Sequence, residues 1–544
     1  MSIHQDQQPQ KEATDESTAF ETAHCQEEDE KQHGASQRNS MEITSVEPSA
    51  TPPALSDREI LEIPRVENVV LEEQYPVTNL RYGIVAWDGQ DDPSNPRNFS
   101  SGRKAALMAL MGCISIVVSL SSSMIAPAMA DIRDEFNEHD QVLSDLAASI
   151  ILVGKGIGPL ILAPLSEIYG RRVILDLSNW VFVAFQIGCA LAPNMATLIV
   201  CRLCAGFGGA GCLALAPGLV ADLYAAPSRG LGTTVMGLGG IAGPVLGPVL
   251  GGIIGQRLGW RWMFWILLML AGLFTMALMV LNLETNARVL IKTKIEKLEK
   301  DLLRDDLRNG YDLNRPASKR SLLWTGLRVP FYLLRKSLIV GLLAVYTALI
   351  FGLLFLFFLT IPSVFENDYG FSEQGTGLAN LGICIGSFVT IFAHAIISDK
   401  WLRRLTHRNH GVATPEMRLP LLSIYSCLLP VSFFWYGWSV DKRASCALAI
   451  ISTIPLAIST TGMFMAIVTY VIDCHPEHAA SATAAITFAR SMAGAVLPLV
   501  GPILYQNLGL GWGNTLLGVI ALLFVPIPII LSRYGPAIRG RFEG

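Results

Sequence analysis

Apolar and polar residues fall in long blocks along this chain, without the short alternation of a sheet surface or an amphipathic core helix. From Ala105 to Leu531 the apolar blocks recur at lengths near the ~20 residues that carry a helix across a bilayer, with short polar connections between them. They predict twelve spans at about 104–127, 142–165, 173–193, 196–217, 230–254, 261–282, 337–361, 375–397, 419–438, 444–470, 479–503 and 511–532. Two six-span sets result, 101–283 and 337–533, with a tail (1–100), a linker (284–336) and a short end (534–544) outside them. The expected fold class is all-α integral membrane.

Charge sets the expected orientation. Connections after even-numbered spans carry Arg171 and Arg172, Arg229, the basic segment 284–336, and Lys400, Arg403, Arg404 and Arg408, and Arg533, Arg539 and Arg541 follow the last span. The opposite connections hold only Arg133, Arg257, Lys442 and Arg443. Positively charged loops stay cytoplasmic, so both termini and the linker are expected there. The sequon Asn98-Phe99-Ser100 then falls on the cytoplasmic side and stays unglycosylated. The polar start M-S-I-H-Q-D-Q-Q is no signal peptide, which leaves targeting to the first span.

Composition changes this picture little. The 544 residues are 51% hydrophobic and 16% charged with net charge −4, too apolar for a soluble chain of this length. Residues 1–80, rich in Glu, Gln, Ser and Pro, cannot bury enough apolar surface to fold and form an acidic tail expected to be disordered. The turn-rich stretch Trp87–Ser100, with its Pro and Asn-Pro steps, is expected to be ordered. In the linker, E-T-N-A-R-V-L-I-K-T-K-I-E-K-L-E-K-D-L-L-R-D-D-L-R has helical apolar spacing, read as an amphipathic helix at the membrane surface against the bundle. Cys201 and Cys204 have C-x-x-C spacing but lie on a span, where they read as small packing residues.

The stretch L-A-P-L-S-E-I-Y-G-R-R-V-I-L (162–175) joins spans 2 and 3 by a tight hairpin. It resembles the signature loop of the major facilitator superfamily, and its wording is similar to the twelve-span fungal drug:proton antiporters. In that pattern Glu167 takes the acidic position, Gly170 the glycine, and Arg171 and Arg172 the basic pair, while Ala163 stands where the pattern has its first glycine. The stretch W-D-G-Q-D-D-P-S-N-P-R-N-F-S looks like the pre-membrane motif of the same family. The second half repeats the loop weakly after span 8, with Asp399, Arg403 and Arg404 at matching positions and Leu402 in place of the glycine. The resemblance implies the major facilitator fold, in which two halves rock about a central substrate.

Arg202 in span 4 (L-I-V-C-R-L-C-A-G-F-G-G-A-G) lies inside an apolar run, at ~2.5–3.5 kcal/mol on insertion scales. It either faces the bundle interior or snorkels to the interface. The resemblance gives this arginine, followed by Gly206 and Gly208, a part in proton coupling. Span 5 (G-L-G-G-I-A-G-P-V-L-G-P-V-L-G-G) sets Gly243, Gly247 and Gly251 on one face for close helix contact, while Pro244 and Pro248 remove backbone donors. It looks like the superfamily's antiporter motif, which with Gly252 points to export.

The other ionisable groups are Lys155 in span 2, a departure from the family pattern, Arg490 in span 11, Asp176, Asp222, His394 and Asp473. If Lys155, Arg202 and Arg490 face one cavity, with His394 also near substrate, the pocket is cationic and suits an anion. If each cation pairs locally, the pocket is apolar and drug-like. Candidates for coupling to protons are Arg202, Asp176 and His394, the last titrating near neutral pH. Asp222 and Asp473, at equivalent ends of the two halves, are read as locking loops to arginines. Ile486 stands where relatives often carry asparagine.

There is no G-x-x-x-x-G-K-[ST] and no clustered His, Cys or carboxylate site, so neither an ATP-driven pump nor a membrane enzyme is expected. The expectation is a proton-coupled exporter of a drug, secondary metabolite or organic acid, without cofactor beyond the proton gradient. Its partners would be that small molecule, protons and the bilayer, without nucleic acid, and it would work as a monomer. The plasma membrane is expected, with the vacuolar membrane as the second choice. Uptake, polyamine export and a sensing receptor on a transporter fold are the alternatives.

Overall fold

The computed structural model describes residues 76–540, apart from 225–228, 304–305, 312–318, 410–413 and 475–478. The expectation of a disordered tail therefore lies, for residues 1–75, outside the described residues.

Among the described residues, ten helical stretches are long and apolar enough to cross a membrane. The last, Ala479–Ile538, breaks at Gly509, whose φ of 72° and ψ of 172° no helix contains, so it makes two crossings. The helix Arg229–Leu258 occupies the fifth position and brings the spans to twelve, in the predicted order. Span 4 begins where the Asn194 carboxamide accepts the Thr197 amide at 2.9 Å, and span 7 where Ser337 caps Val340. Such caps satisfy amides that a helix start leaves without partners.

The spans pair by the same rule in each half. Span 1 lies on span 5, span 2 on span 4, and span 3 on spans 4 and 6. Span 7 lies on span 11, span 8 on span 10, and span 9 on spans 10 and 12. A repeat that sequence shows only weakly is therefore plain in the packing.

The linker differs from the expectation. Its first helix, Ala287–Leu302, buries Ile291 and Ile295 against Val85, Trp87 and Leu307. That apolar face is covered by the pre-membrane segment, whose indole supplies the apolar area that a lipid surface would otherwise offer. The Trp87 indole donates to the Tyr311 hydroxyl at 2.6 Å, and Lys294 pairs with Asp88 at 2.6 Å. Strands β1 (Ile84–Val85) and β2 (Arg308–Asn309) pair in parallel beside them. Val77 and Asn79, inside the stretch expected to be disordered, bridge to Trp87 and Ile84, because the ordered turn offers them backbone partners. Burial works against the Asp92 charge, but the amides of Asp88 and Ser94, the Ser94 hydroxyl and Lys294 hold its carboxyl below the usual range. The Asn98 amide is engaged with the carbonyls of Gln90 and Asp92.

A second linker helix, Lys319–Lys336, was not distinguished in the sequence. It packs on the Gly170 end of span 2, where Gly326 meets Pro164, and on span 11, where Phe331 meets Phe488 edge-on at 5.5 Å.

Candidate functional site

At the Gly170 end of the first half, the hairpin is a closed polar lock. Gly170 adopts φ 103°, a region only glycine enters without strain, and this turns the amides of Arg171 and Arg172 onto the Glu284 carboxylate at 2.9 and 3.2 Å. Arg171 reaches Asp222 at 3.2 Å and the Ser166 hydroxyl at 2.8 Å. Thr285 donates to the same Asp222 oxygen, and Asn286 to the carbonyls of Ser166 and Glu167. Arg172 stands 3.8 Å from Asp176, which also accepts from Asn282 at 3.3 Å. The Glu167 side chain is exposed. Asp176 is thus held in this lock, away from the middle of the membrane.

In the second half the counterpart pair is Asp473 with Arg418, at the start of span 9 as Arg171 starts span 3. Arg403 and Arg404, matched from sequence, are exposed, and the Asp399 side chain lies outside the described residues. Arg418 and Glu284 were missed in the sequence. The signal for Arg418 was its place directly before span 9, six spans after Arg171.

Span 5 lies against span 1 along its glycine face. A Cβ at Gly243 would stand 2.7 Å from the Ser119 carbonyl carbon, at Gly247 3.0 Å from the Met124 amide nitrogen, and at Gly251 2.9 Å from the Met124 carbonyl carbon. One turn earlier Gly239 meets Ser115 in the same way. Pro248 lacks the N–H that would bond the carbonyl four residues back. That carbonyl, of Pro244, instead accepts the Ser123 hydroxyl at 2.8 Å. The opposite side of span 5 meets the other half: Gly252 lies against Gly377 and the Glu373 carbonyl, and the Val245 carbonyl accepts from Cys384. Gly255 packs on the Glu373 side chain, which interacts with Asp131 of the first half, and Gln256 accepts the Gln374 amide at 3.0 Å. This seam was also unread in the sequence, because Asp131 and Glu373 lie on short helices far apart in the chain.

The three interior cations separate. Arg202 is 1% exposed, so it faces the bundle interior and does not snorkel. Its Nη2 donates to the carbonyls of Ala148 at 2.8 Å and Ser121 at 3.3 Å, and its guanidinium lies 5.9 Å from the Phe264 ring centre. Its Nε and Nη1 have no hydrogen-bond partner. Gln186, also buried, donates to the Ser121 hydroxyl at 3.1 Å. This polar knot belongs wholly to the first half.

The turns that carry Lys155 and Arg490, by contrast, meet at the seam between the halves. A Cβ at Gly156 would stand 2.8 Å from Ser491 Cβ, so the turn of span 2 carrying Lys155 lies on the turn of span 11 carrying Arg490. The Arg490 guanidinium carbon lies 4.7 Å from the Phe351 ring centre and 4.4 Å from that of Phe464. Its Nε is buried without a hydrogen-bond partner. Towards the Asn194 end the same seam is tied by Ser149, which donates to the Ala495 carbonyl at 2.9 Å.

His394 is 4% exposed within the second half, its Nδ1 3.4 Å from the Tyr425 hydroxyl. The structure thus brings the turns of Lys155 and Arg490 together and leaves Arg202 and His394 each inside its own half. Among the described residues there is no group of three or more His, Cys, Asp or Glu suited to a metal.

A family model described as Major Facilitator Superfamily matches residues 111–498. The MFS transporter prlG of Fungal sp. (strain NRRL 50135) is 41% identical over 461 residues, 84% of this chain and 96% of its own. The MFS-type transporter penM of Penicillium rubens is 40% identical, covering 84% and 89%. The efflux pump radE of Floropilus chiversii is 35% identical, covering 85% and 86%. Among solved structures, a D-xylose-proton symporter aligns with TM-score 0.58 at 18% identity, over 78% of this chain and 97% of its own. At that identity the likeness is one of fold.

Proposed function

The chain belongs to the major facilitator superfamily and is a multi-pass membrane transporter, not an enzyme; on that footing we propose that it exports a small organic molecule in exchange for protons by alternating access. The observation that carries this is span 5. Its glycine face is sunk into span 1 while its other side meets span 8 of the opposite half. A helix held by both halves, with two prolines that take hydrogen bonds out of its own ladder, is a natural pivot for rocking between them. The direct contacts between halves described above lie from the membrane middle to the Asn194 end. With the Gly170 end cytoplasmic, as the arginine distribution supports, this is a carrier closed to the outside. The plasma membrane and both termini inside complete the reading. The wording of one relative, an efflux pump, supports export.

Comparing secreted and retained metabolites in cells lacking or overproducing the protein, with and without a protonophore, tests this. Export predicts retention on loss and protonophore-sensitive release on overproduction. Release that is indifferent to the protonophore would remove the proton from the mechanism, and accumulation inside on overproduction would reverse the direction.

A further inference from the structure

Lys155 and Arg490 present two like charges on opposite halves, in the middle of the membrane. The ion pairs formed among the described residues involve neither of them, and Arg490 Nε has no hydrogen-bond partner. Every acid in the locks described above is taken: Asp222 by Arg171, Asp176 by Arg172 and Asn282, and Asp473 by Arg418. The contact of Gly156 with Ser491 sets the turn carrying one basic side chain on the turn carrying the other, and an anion between two such groups would supply the opposite charge that no ion pair gives them.

We propose that Lys155 and Arg490 bind the acidic head of an organic anion, whose apolar body lies on the Phe351 and Phe464 side of the seam. This rests on the transport reading and names the substrate class. Aromatic rings lie against the Arg490 guanidinium, and the donors of this planar group lie in its own plane. An acid approaching edge-on meets that fork as a carboxylate does, and Lys155 adds a compact second charge from the other half. The anion would therefore be held by one cation of each half. Occupied, the span 2–span 11 seam closes on it; empty, the two cations repel. Substrate binding and the relation between the halves are linked through one charge.

The test uses the purified full-length protein in detergent at low ionic strength, melted with benzoate or 2-naphthoate, and with benzyl alcohol or 2-naphthalenemethanol as uncharged matches. Chloride at equal ionic strength is the control. The carboxylates are expected to raise the melting midpoint and the alcohols and chloride to leave it. Lys155→Met should melt above wild type without ligand, since a like charge is gone, and should lose the carboxylate shift. Lys155→Arg should keep the shift, which guards against a variant that merely misfolds. No carboxylate shift in wild type, an equal shift with the alcohols, or a shift retained in Lys155→Met would each overturn the proposal. A carboxylate-specific shift in a protein that exports nothing would count against the export reading and support the anion site.

Discussion

Replacing Gly243 by alanine puts the contact of spans 1 and 5 to a direct test. The added Cβ would stand 2.7 Å from the Ser119 carbonyl carbon and 2.8 Å from the Leu120 nitrogen, and closer still to Ser119 Cβ. Carbons rest at about 3.5–4.0 Å, so the helices must part by roughly 1 Å, which forfeits a quarter to half of each dispersion contact along the face. Overpacking of this kind costs about 1–3 kcal/mol. Parting also strains the Ser123–Pro244 hydrogen bond, worth about 0.6 kcal/mol for a bond between membrane helices. The expected loss is ~2–3 kcal/mol, read by chemical or thermal unfolding of the purified protein together with the transport rate. Gly272→Ala is the matched control. That glycine lies in the helix of span 6, where an added Cβ would have nothing within 4 Å, so alanine there should be neutral or stabilise by about 0.5–1 kcal/mol. Ser119→Gly should partly rescue Gly243→Ala, because it removes the nearest obstacle and leaves the backbone ones. Wild-type stability and transport in Gly243→Ala, or no rescue, would refute the close-contact reasoning.

Asp222→Asn should cost about 1.5–3 kcal/mol, since Arg171 loses a charged partner in a half-buried lock; unfolding of the variant measures it, and Asp473→Asn should cost less because Arg418 and Asp473 are more exposed. Ser123→Ala leaves the Pro244 carbonyl without its donor and should lower stability by about 0.6–1.7 kcal/mol, while Ser491→Ala, with no such bond to keep, is the comparison. Trp87→Ala removes the indole that covers Ile291 and Ile295 and donates to Tyr311; about 3–5 kcal/mol of local docking is at stake, and limited proteolysis should cut residues 77–100 faster while the spans stay intact. Unchanged cleavage would mean the segment is held by something other than this cluster.

Number, order and approximate ends of the spans were legible in the sequence, because crossing a bilayer demands a length of apolar chain that nothing else in the sequence imitates. The close-packing role of Gly243, Gly247 and Gly251 was legible for a similar reason: a four-residue repeat defines a helix face before any partner is known. Asp222 and Asp473 were also read as loop locks, which is where the structure places them. What sequence could not decide is which residues meet across distance. Arg418 takes the place that local motif likeness gave to Arg403 and Arg404, since pairing follows the three-dimensional repeat and not the wording of the loop. Glu284, more than a hundred residues from Gly170, closes the hairpin by folding back from span 6. The linker helix was read from its amphipathic pattern as lying at the membrane surface against the bundle; that pattern does not say what covers the apolar face, and only the structure shows Trp87 folded onto it. Lys155, Arg202 and Arg490 look alike as buried cations along a line. Helix rotation and packing, which hydropathy does not encode, bring the turns of two of them together at the seam and seal the third inside one half.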